Sequence, residues 1–264
     1  MSETIAATAQ QRTQPVQDSA QPIFVLGAAA GGRHALIGAM LGQHPACFGM
    51  PELNLLVGDN LEEVAFRLNQ PHNAQFHGLL RAAAYLLSGE QSMDAVAMAR
   101  RWMIRRMSLP TWRIFEELRV KVAPRRMVDP SRAYSLKLDA LKVIQRSYPG
   151  ASVVRLVAPA AERGGRESAG GQKRQGALAR FFEALPDGQL AELSVEGFEQ
   201  APRTTLRKLC AALALPCDDA ALDAMMQPQN SPFAGLGPAG ANLGNDPAFL
   251  ANPAFRSPLE RRSA

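Results

Sequence analysis

Cysteine and aromatic residues are scarce in this sequence, and each shortage excludes a class of function. The three cysteines, Cys47, Cys210 and Cys217, form no CxxC pair and no metal-ligand spacing. We therefore expect small apolar side chains in a reducing, cytoplasmic environment. The four histidines are scattered, and no metal site is predicted. Aromatic residues make up 6% of the chain, which leaves little material for stacking on nucleic-acid bases.

Long apolar runs and targeting features are also missing. No apolar run approaches the roughly 18 residues that a membrane-spanning helix needs, so no membrane contact is expected. Residues 1–20 are rich in Gln, Thr and Ser and have neither the basic nor the apolar region of a signal peptide. This polar composition predicts a disordered tail.

The remaining composition is that of an α/β-sized domain with a mild positive charge. The 264 residues are 47% hydrophobic, which suffices for the core of one domain. The net charge of +5 and the pI of about 9.4 suit an anionic nucleotide or an acidic carrier-protein partner. The charge is too small and too dispersed along the chain to indicate nucleic-acid binding.

One stretch, from Ile23 to Pro45, organises the predicted fold. Ile23 to Leu26 form a buried strand, Gly27 to Gly32 a turn of Gly and Ala only, and Arg33 to Gln43 a helix with one apolar face. This is a phosphate-binding arrangement, because the glycines let the backbone approach an anion and the helix start offers free N–H groups. A βα turn that binds nothing explains the same pattern equally well.

The Walker A pattern fits this turn only in part. Gly27 and Gly32 occupy its two glycine positions. Arg33, however, stands where the lysine belongs, and His34 where the Mg²⁺-binding hydroxyl belongs. An imidazole does not replace that hydroxyl, so a kinase or a GTPase is not expected.

Helix and strand patterns alternate along the rest of the chain and predict a parallel sheet with right-handed connections. Within a main domain over 21–227, the helices of 60–122 are predicted to be an insertion that covers the site. Residues 159–173 are predicted to be a mobile loop, and 228–264 a Pro-, Gly- and Asn-rich tail that adds no core. The predicted strands are 23–26, 47–50, 126–128, 152–157 and 190–195, and the predicted helices are 33–43, 60–69, 74–87, 93–106, 112–122, 136–147, 176–184 and 204–215.

Several short motifs, taken in order, match those of a known family. They are the opening loop, Gln43-His44-Pro45, Pro51-Glu52-Leu53, MVDPSRAYSL, SYPGASVVRLV, LSVEGFEQAPRTTLRKLCAALAL and LGNDPAFL. With them the sequence resembles PAPS-dependent sulfotransferases, most closely the bacterial type that acts on polyketide and nonribosomal-peptide intermediates, over about residues 21 to 255. The resemblance implies a P-loop-like parallel sheet with helices on both faces. It also implies sulfuryl transfer from PAPS to the hydroxyl of a small-molecule acceptor.

The residues that hold PAPS in that family are largely replaced here. The loop cation is Ala30, and Arg33 and His34 stand where the family has two threonines. The lysine of the second motif is Pro130, and the arginine that holds the 3′-phosphate is Ala158. A charge-assisted hydrogen bond to phosphate is worth about 1.5–3 kcal/mol. Three or four such losses amount to roughly 5–10 kcal/mol, which is enough to abolish micromolar binding.

Three functions remain open. In the first, a working sulfotransferase binds PAPS through a rebuilt phosphate site of backbone amides and shifted cations: Gly27, Gly31, Gly32, Arg33 and Arg132. Glu52 or His34 then acts as the base, because Asn54 stands where the family has its candidate histidine. In the second, the protein is a pseudoenzyme that binds an acyl carrier protein or a partner enzyme.

In the third, the cleft takes another ligand, and His34, Glu52 and Asp129 carry out acid–base chemistry such as elimination or cyclisation. A histidine at a helix start has its pKa lowered by the helix dipole, which suits this role. Each residue also has a simpler explanation. His34 is then a solvent-exposed helix residue, Glu52 a charge that stabilises a helix start, and Asp129 a turn residue.

Overall fold

The computed structural model describes residues 20–27, 32–159 and 169–255. Four sequence-based predictions fall wholly or largely outside these ranges. They concern the disordered tail before Ala20, the candidate Gly31, most of the mobile loop, and the end of the C-terminal tail.

The centre of the described part is a sheet of five strands: β1 (Ile23–Gly27), β2 (Cys47–Gly49), β3 (Arg126–Asp129), β4 (Ser152–Val157) and β5 (Leu190–Ser194). Their order is β2-β3-β1-β4-β5, and every neighbouring pair is parallel. Ile23 pairs with Val128 on one side and with Ser152 on the other. The predicted α/β class, a parallel sheet flanked by helices, is confirmed.

Alternating side chains of β1 fill two cores, one on each face of the sheet. Phe24 and Leu26 point into the larger core, while Ile23 and Val25 point into the other, and all four are fully buried. A central parallel strand is covered on both faces, and its sequence is therefore a continuous apolar run rather than an alternating one.

Helices cover both faces of this sheet. The first core lies under α2 to α8, and the second under α1 and α9 to α11. None of the helices in the described ranges is both long and apolar enough to cross a bilayer. In chain order the helices are α1 (Arg33–Gly42), α2 (Leu61–Leu68), α3 (His77–Ser88), α4 (Met93–Ile104), α5 (Thr111–Val122), α6 (Ala133–Leu136), α7 (Leu138–Ser147), α8 (Ala169–Glu183), α9 (Val195–Gln200), α10 (Pro202–Ala212), α11 (Asp219–Met225) and α12 (Pro247–Ala251).

Two expectations for the second half of the chain are wrong. The predicted loop over 159–173 ends early, because α8 begins at Ala169. The segment after Pro228 does add core, since Phe233 and Phe249 are buried and Phe233 belongs to the larger core. Many prolines and glycines predict the absence of long helices, but they do not prevent the aromatic residues between them from being buried.

A buried arginine holds this C-terminal segment against the domain. Arg81 of α3 is only 1% exposed. Its guanidinium donates hydrogen bonds to the carbonyls of Gly235 and Leu243, both at 3.1 Å, and to Gln91 at 2.7 Å. A buried charge costs free energy unless it is hydrogen-bonded, so these partners fix the path of the chain into residues 244–251.

Candidate active site

The candidate site lies at the carboxyl edge of the sheet, where β1 leads towards α1. Gly27 ends β1 with a φ of 135°, and its N–H donates to Ser135 Oγ at 2.9 Å. Gly32 precedes α1 in the left-handed conformation, with a φ of 74° and a ψ of 6°, which glycine adopts without strain. Ligands of open α/β sheets bind at this edge, where neighbouring strands lead to opposite faces.

His34, in the first turn of α1, is buried, with 2% of its surface exposed. Burial is the main reason that its pKa falls from 6.5 to about 4, and the charge of Arg132 lowers it further. A hydrogen bond to the Gly27 backbone and the charge of Asp246 partly oppose this fall. The expectation of an exposed helix residue is therefore wrong. The sequence predicts a lowered pKa from the helix dipole, and the structure gives burial as the largest cause of the lowering.

Glu52 follows β2 and comes close to the same edge. Its N–H donates to the Gly244 carbonyl at 2.9 Å. Part of its surface is accessible, but its carboxyl group lies deep enough that burial raises the pKa to about 7. The charges of Asp246 and Asp129 raise this pKa further. Arg132 opposes the rise, both through a hydrogen bond from its backbone N–H and through its charge. The carboxyl group is thus half-protonated near neutral pH.

Asp129, the last residue of β3, is fully buried. Burial raises its pKa to about 6 although its hydrogen bonds favour the charged form. It accepts from the Ser131 N–H at 3.0 Å and from the Tyr134 hydroxyl at 2.8 Å. Ser131 Oγ in turn accepts from the Asn54 N–H at 2.9 Å. These bonds make Asp129 the organiser of the turn after β3, as the simpler explanation from the sequence predicted.

Asp246 is a member of this group that sequence reasoning missed. It caps α12, because Oδ1 accepts from the Ala248 N–H at 2.9 Å, and its charge acts on both His34 and Glu52. The available signal was the Asp-Pro pair in LGNDPAFL, an N-cap followed by proline at the first helical position. That motif contributed to the family resemblance without suggesting a site residue.

The two candidate cations lie in different surroundings. Arg132 is exposed at the start of α6, and its charge acts on His34 and Glu52. Arg33 extends its guanidinium to Glu199 of α9 at 3.4 Å, beside the apolar side chain of Phe198. The structure therefore brings His34, Glu52, Asp129 and Arg132 together with Asp246, whereas Arg33 pairs with a carboxylate on another helix.

The side chains at this edge of the sheet suit proton transfer better than they suit the binding of an anionic ligand. Glu52 gains and loses a proton near neutral pH, while His34 stays neutral. Two titratable groups whose environments move their pKa values apart are the usual basis of acid–base assignments in enzymes. Within the described ranges, no cluster of three or more His, Cys, Asp or Glu side chains is arranged to hold a metal ion.

A separate recess of about 200 Å³ lies at the opposite edge of the sheet. Its lining includes Tyr148, Val153 and Gln189, near the amino ends of β4 and β5. Ligand sites of parallel sheets occur at the carboxyl ends of the strands, so this recess is not the candidate site.

Neither a protein-family model nor a curated protein matches this sequence. Two solved structures match it over nearly its whole length. The sulfotransferase domain from the curacin biosynthetic pathway gives a TM-score of 0.72 at 21% identity, and the match covers 93% of this chain and 91% of that one. The sulfotransferase domain from the Synechococcus PCC 7002 olefin synthase gives 0.69 at 19% identity, covering 96% and 91%. The chain therefore has the sulfotransferase fold.

Proposed function

We propose that this protein carries out acid–base chemistry, an elimination or a cyclisation, on a hydroxyl-bearing acyl substrate, without transferring a sulfuryl group from PAPS. The observation that carries the proposal is the Glu52 carboxyl group. Its pKa of about 7 suits a residue that takes up and releases a proton at neutral pH. The choice of a biosynthetic acyl substrate rests on the family resemblance and on the similarity to the curacin and olefin synthase domains.

The charges at the described part of the edge disfavour a polyanion such as PAPS. Asp246 lies beside Gly32, at the helix start that a phosphate group would have to approach. Glu52 and Asp129 add two further carboxyl groups. Arg33, the cation expected to clamp the phosphosulfate, pairs with Glu199. The described residues thus fit PAPS poorly, because the charge of Arg132 offsets only part of the repulsion between its negative charges and these carboxyl groups.

In the proposed elimination, the Glu52 carboxylate takes the proton from the carbon next to the acyl carbonyl. The electron pair of that C–H bond forms the new C=C bond as the bond to the β-oxygen breaks. The proton then passes from Glu52 to the departing oxygen, which leaves as water, so no oxidant or reductant is needed. Arg132 stabilises the negative charge that develops on the acyl oxygen. In a cyclisation, Glu52 instead takes the proton of a hydroxyl group that attacks the acyl carbon of a thioester; the C–S bond breaks, and the departing sulfur leaves as a thiol with the proton from Glu52.

The test uses a 3-hydroxyacyl thioester of N-acetylcysteamine, with and without PAPS, and identifies the products by mass spectrometry. The proposal predicts loss of one water, or release of the thiol with ring closure, without any need for PAPS. Glu52→Gln should abolish this reaction. Glu199→Gln, the same change in a carboxylate on α9, should leave it unaltered. A sulfated product that appears only with PAPS would overturn the proposal.

Partner binding is a second candidate function, and the outer face of α4 favours it. Met98 and Ile104 are 38% and 58% exposed there, and the exposed Arg101 and Arg105 lie on the same face. Exposed apolar side chains beside arginines suit an acidic protein such as an acyl carrier protein. Calorimetric titration with a carrier protein, using an Arg101→Ala/Arg105→Ala double variant as control, tests this function. No heat of binding to the unmodified chain would exclude it for that partner.

A further inference from the structure

Two buried side-chain atoms find no hydrogen-bond partner among the described residues. They are His34 Nε2, at the candidate site, and Asn245 Oδ1. Buried polar atoms in folded proteins are nearly always paired, and an unpaired one calls for an explanation. Here the two exceptions lie on α1 and on the segment before α12, the two parts of the chain that meet at the candidate site.

The hydrogen bonds of His34 determine which ring nitrogen carries the proton. The ring bonds to the backbone of Gly27. The Gly27 N–H already donates to Ser135 Oγ, so the partner is the Gly27 carbonyl, and because Nε2 is unpaired, Nδ1 makes this bond. A carbonyl oxygen only accepts, so Nδ1 is the protonated nitrogen and Nε2 presents a lone pair. The low pKa of the ring keeps this state neutral at physiological pH. His34 therefore offers an acceptor, not a cation, to whatever lies against it.

Asn245, the residue before Asp246, leaves a second buried acceptor unpaired. Its Nδ2 donates to the Phe233 carbonyl at 3.4 Å, which fixes the amide orientation and leaves Oδ1 as the unpaired atom. Asn245 is 8% exposed and directly precedes Asp246, whose charge acts on His34. Both unpaired atoms are therefore acceptors, and a group that satisfies either of them must donate a hydrogen bond.

We infer that His34 is a specificity-determining residue whose Nε2 accepts a hydrogen bond from a hydroxyl group of the ligand. A fully ionised phosphate or sulfate has no proton to donate to this nitrogen, whereas a neutral hydroxyl group has one. The contact therefore selects a hydroxyl-bearing ligand over an anionic one. The inference rests on the proposed function for the class of substrate, but it concerns the binding of that substrate and not its turnover.

The test compares two ligands that differ by one hydroxyl group, the 3-hydroxybutyryl and butyryl thioesters of N-acetylcysteamine. The natural chain should bind the hydroxylated thioester about tenfold more tightly, the effect of one hydrogen bond to a buried acceptor. His34→Gln places an amide oxygen near the position of Nε2 and should keep this preference. His34→Asn retains only a donor near the position of Nδ1 and should lose it. Circular dichroism and urea unfolding show whether both variants fold.

The outcomes separate this inference from the proposed function. A preference for the hydroxylated thioester without turnover would leave the inference standing and overturn the function. Turnover by a protein that binds both thioesters equally well would support the proposed function and overturn the inference. Equal affinity for the two thioesters, including no measurable binding of either, overturns the inference, since a resident water then satisfies Nε2. A preference that persists in a folded His34→Asn variant overturns it as well.

Discussion

The carboxylate of Asp246 lies so close to Gly32 that a Cβ on Gly32 would stand 3.0 Å from Oδ1. Gly32 precedes α1 and Asp246 precedes α12, so two helix starts that are distant in sequence meet at the candidate site. The C-terminal segment thus supplies a negative charge where the family resemblance places a phosphate.

Gly32→Ala should destabilise the protein more than Gly89→Ala. Both glycines have a positive φ, 74° and 77°, and alanine in that conformation costs about 1–2 kcal/mol. A Cβ at Gly89 meets nothing within 4 Å, whereas one at Gly32 meets Asp246 and the Phe249 N–H at 3.0 and 3.1 Å. We expect an additional loss of about 1 kcal/mol or more at Gly32, measured by urea unfolding. Equal losses for the two variants would show that α12 does not pack against Gly32.

Substitution of Arg81 tests whether its hydrogen bonds hold the segment that leads to Asp246 in place. Arg81→Met leaves the carbonyls of Gly235 and Leu243 without their donor and should cost at least about 3 kcal/mol of unfolding free energy. Arg100 reaches the same segment through one bond near the surface, to the Gly240 carbonyl at 3.0 Å. Arg100→Met should therefore cost less than about 1 kcal/mol. A loss at Arg81 no larger than that at Arg100 would contradict the role of Arg81 as the anchor.

Local patterns predicted much of this structure. The apolar run from Ile23 to Leu26 identified the central strand, because a strand covered on both faces must be apolar throughout. Glu52 and Asp129 belong to the motifs Pro51-Glu52-Leu53 and MVDPSRAYSL, which carry the family resemblance. Both lie at the candidate site because each follows closely on a strand, and the carboxyl ends of parallel strands share one edge. The strand followed from local apolar pattern, whereas the two carboxyl groups followed from the resemblance of short motifs.

The remaining features depend on contacts between distant parts of the chain. Asp246 reaches the site because Arg81, in another helix, fixes the path of the segment before it. His34 looked exposed because its neighbours in sequence do not reveal that a C-terminal segment packs over the start of α1. Phe233 was assigned to a surface tail for the same reason. Periodicity within a segment reports one face of that segment but not which distant segment covers it.

The raised pKa of Glu52 predicts a pH dependence of stability with a definite sign. Its folded-state pKa, about 7, exceeds its ordinary value of 4.5. Between these values the folded protein holds more protons than the unfolded chain, so stability present below pH 4.5 is lost as the pH rises towards 7. The loss amounts to roughly 3 kcal/mol once the pH has passed 7. Asp129 acts in the same direction up to about pH 6, while His34, with its lowered pKa, acts in the opposite one.

Glu52→Gln isolates the contribution of this carboxyl group. Relative to the natural chain, the variant should gain unfolding free energy between about pH 5 and about pH 8, because the amide does not ionise. Urea unfolding at the two pH values measures the gain. Glu199→Gln is the matched control and should keep the pH dependence of the natural chain. An unchanged pH dependence in Glu52→Gln would show that Glu52 ionises normally and would remove the basis of the proposed acid–base role.

The central claim is that the carboxyl edge no longer accepts the PAPS nucleotide, and calorimetric titration with adenosine 3′,5′-bisphosphate tests it most directly. The claim predicts no heat of binding up to millimolar ligand for the natural chain, since Asp246 lies beside Gly32 and Arg33 pairs with Glu199. Micromolar binding that disappears in Arg33→Ala would contradict the claim. It would mean that the phosphate site is rebuilt around Arg33 and that the protein is a working sulfotransferase.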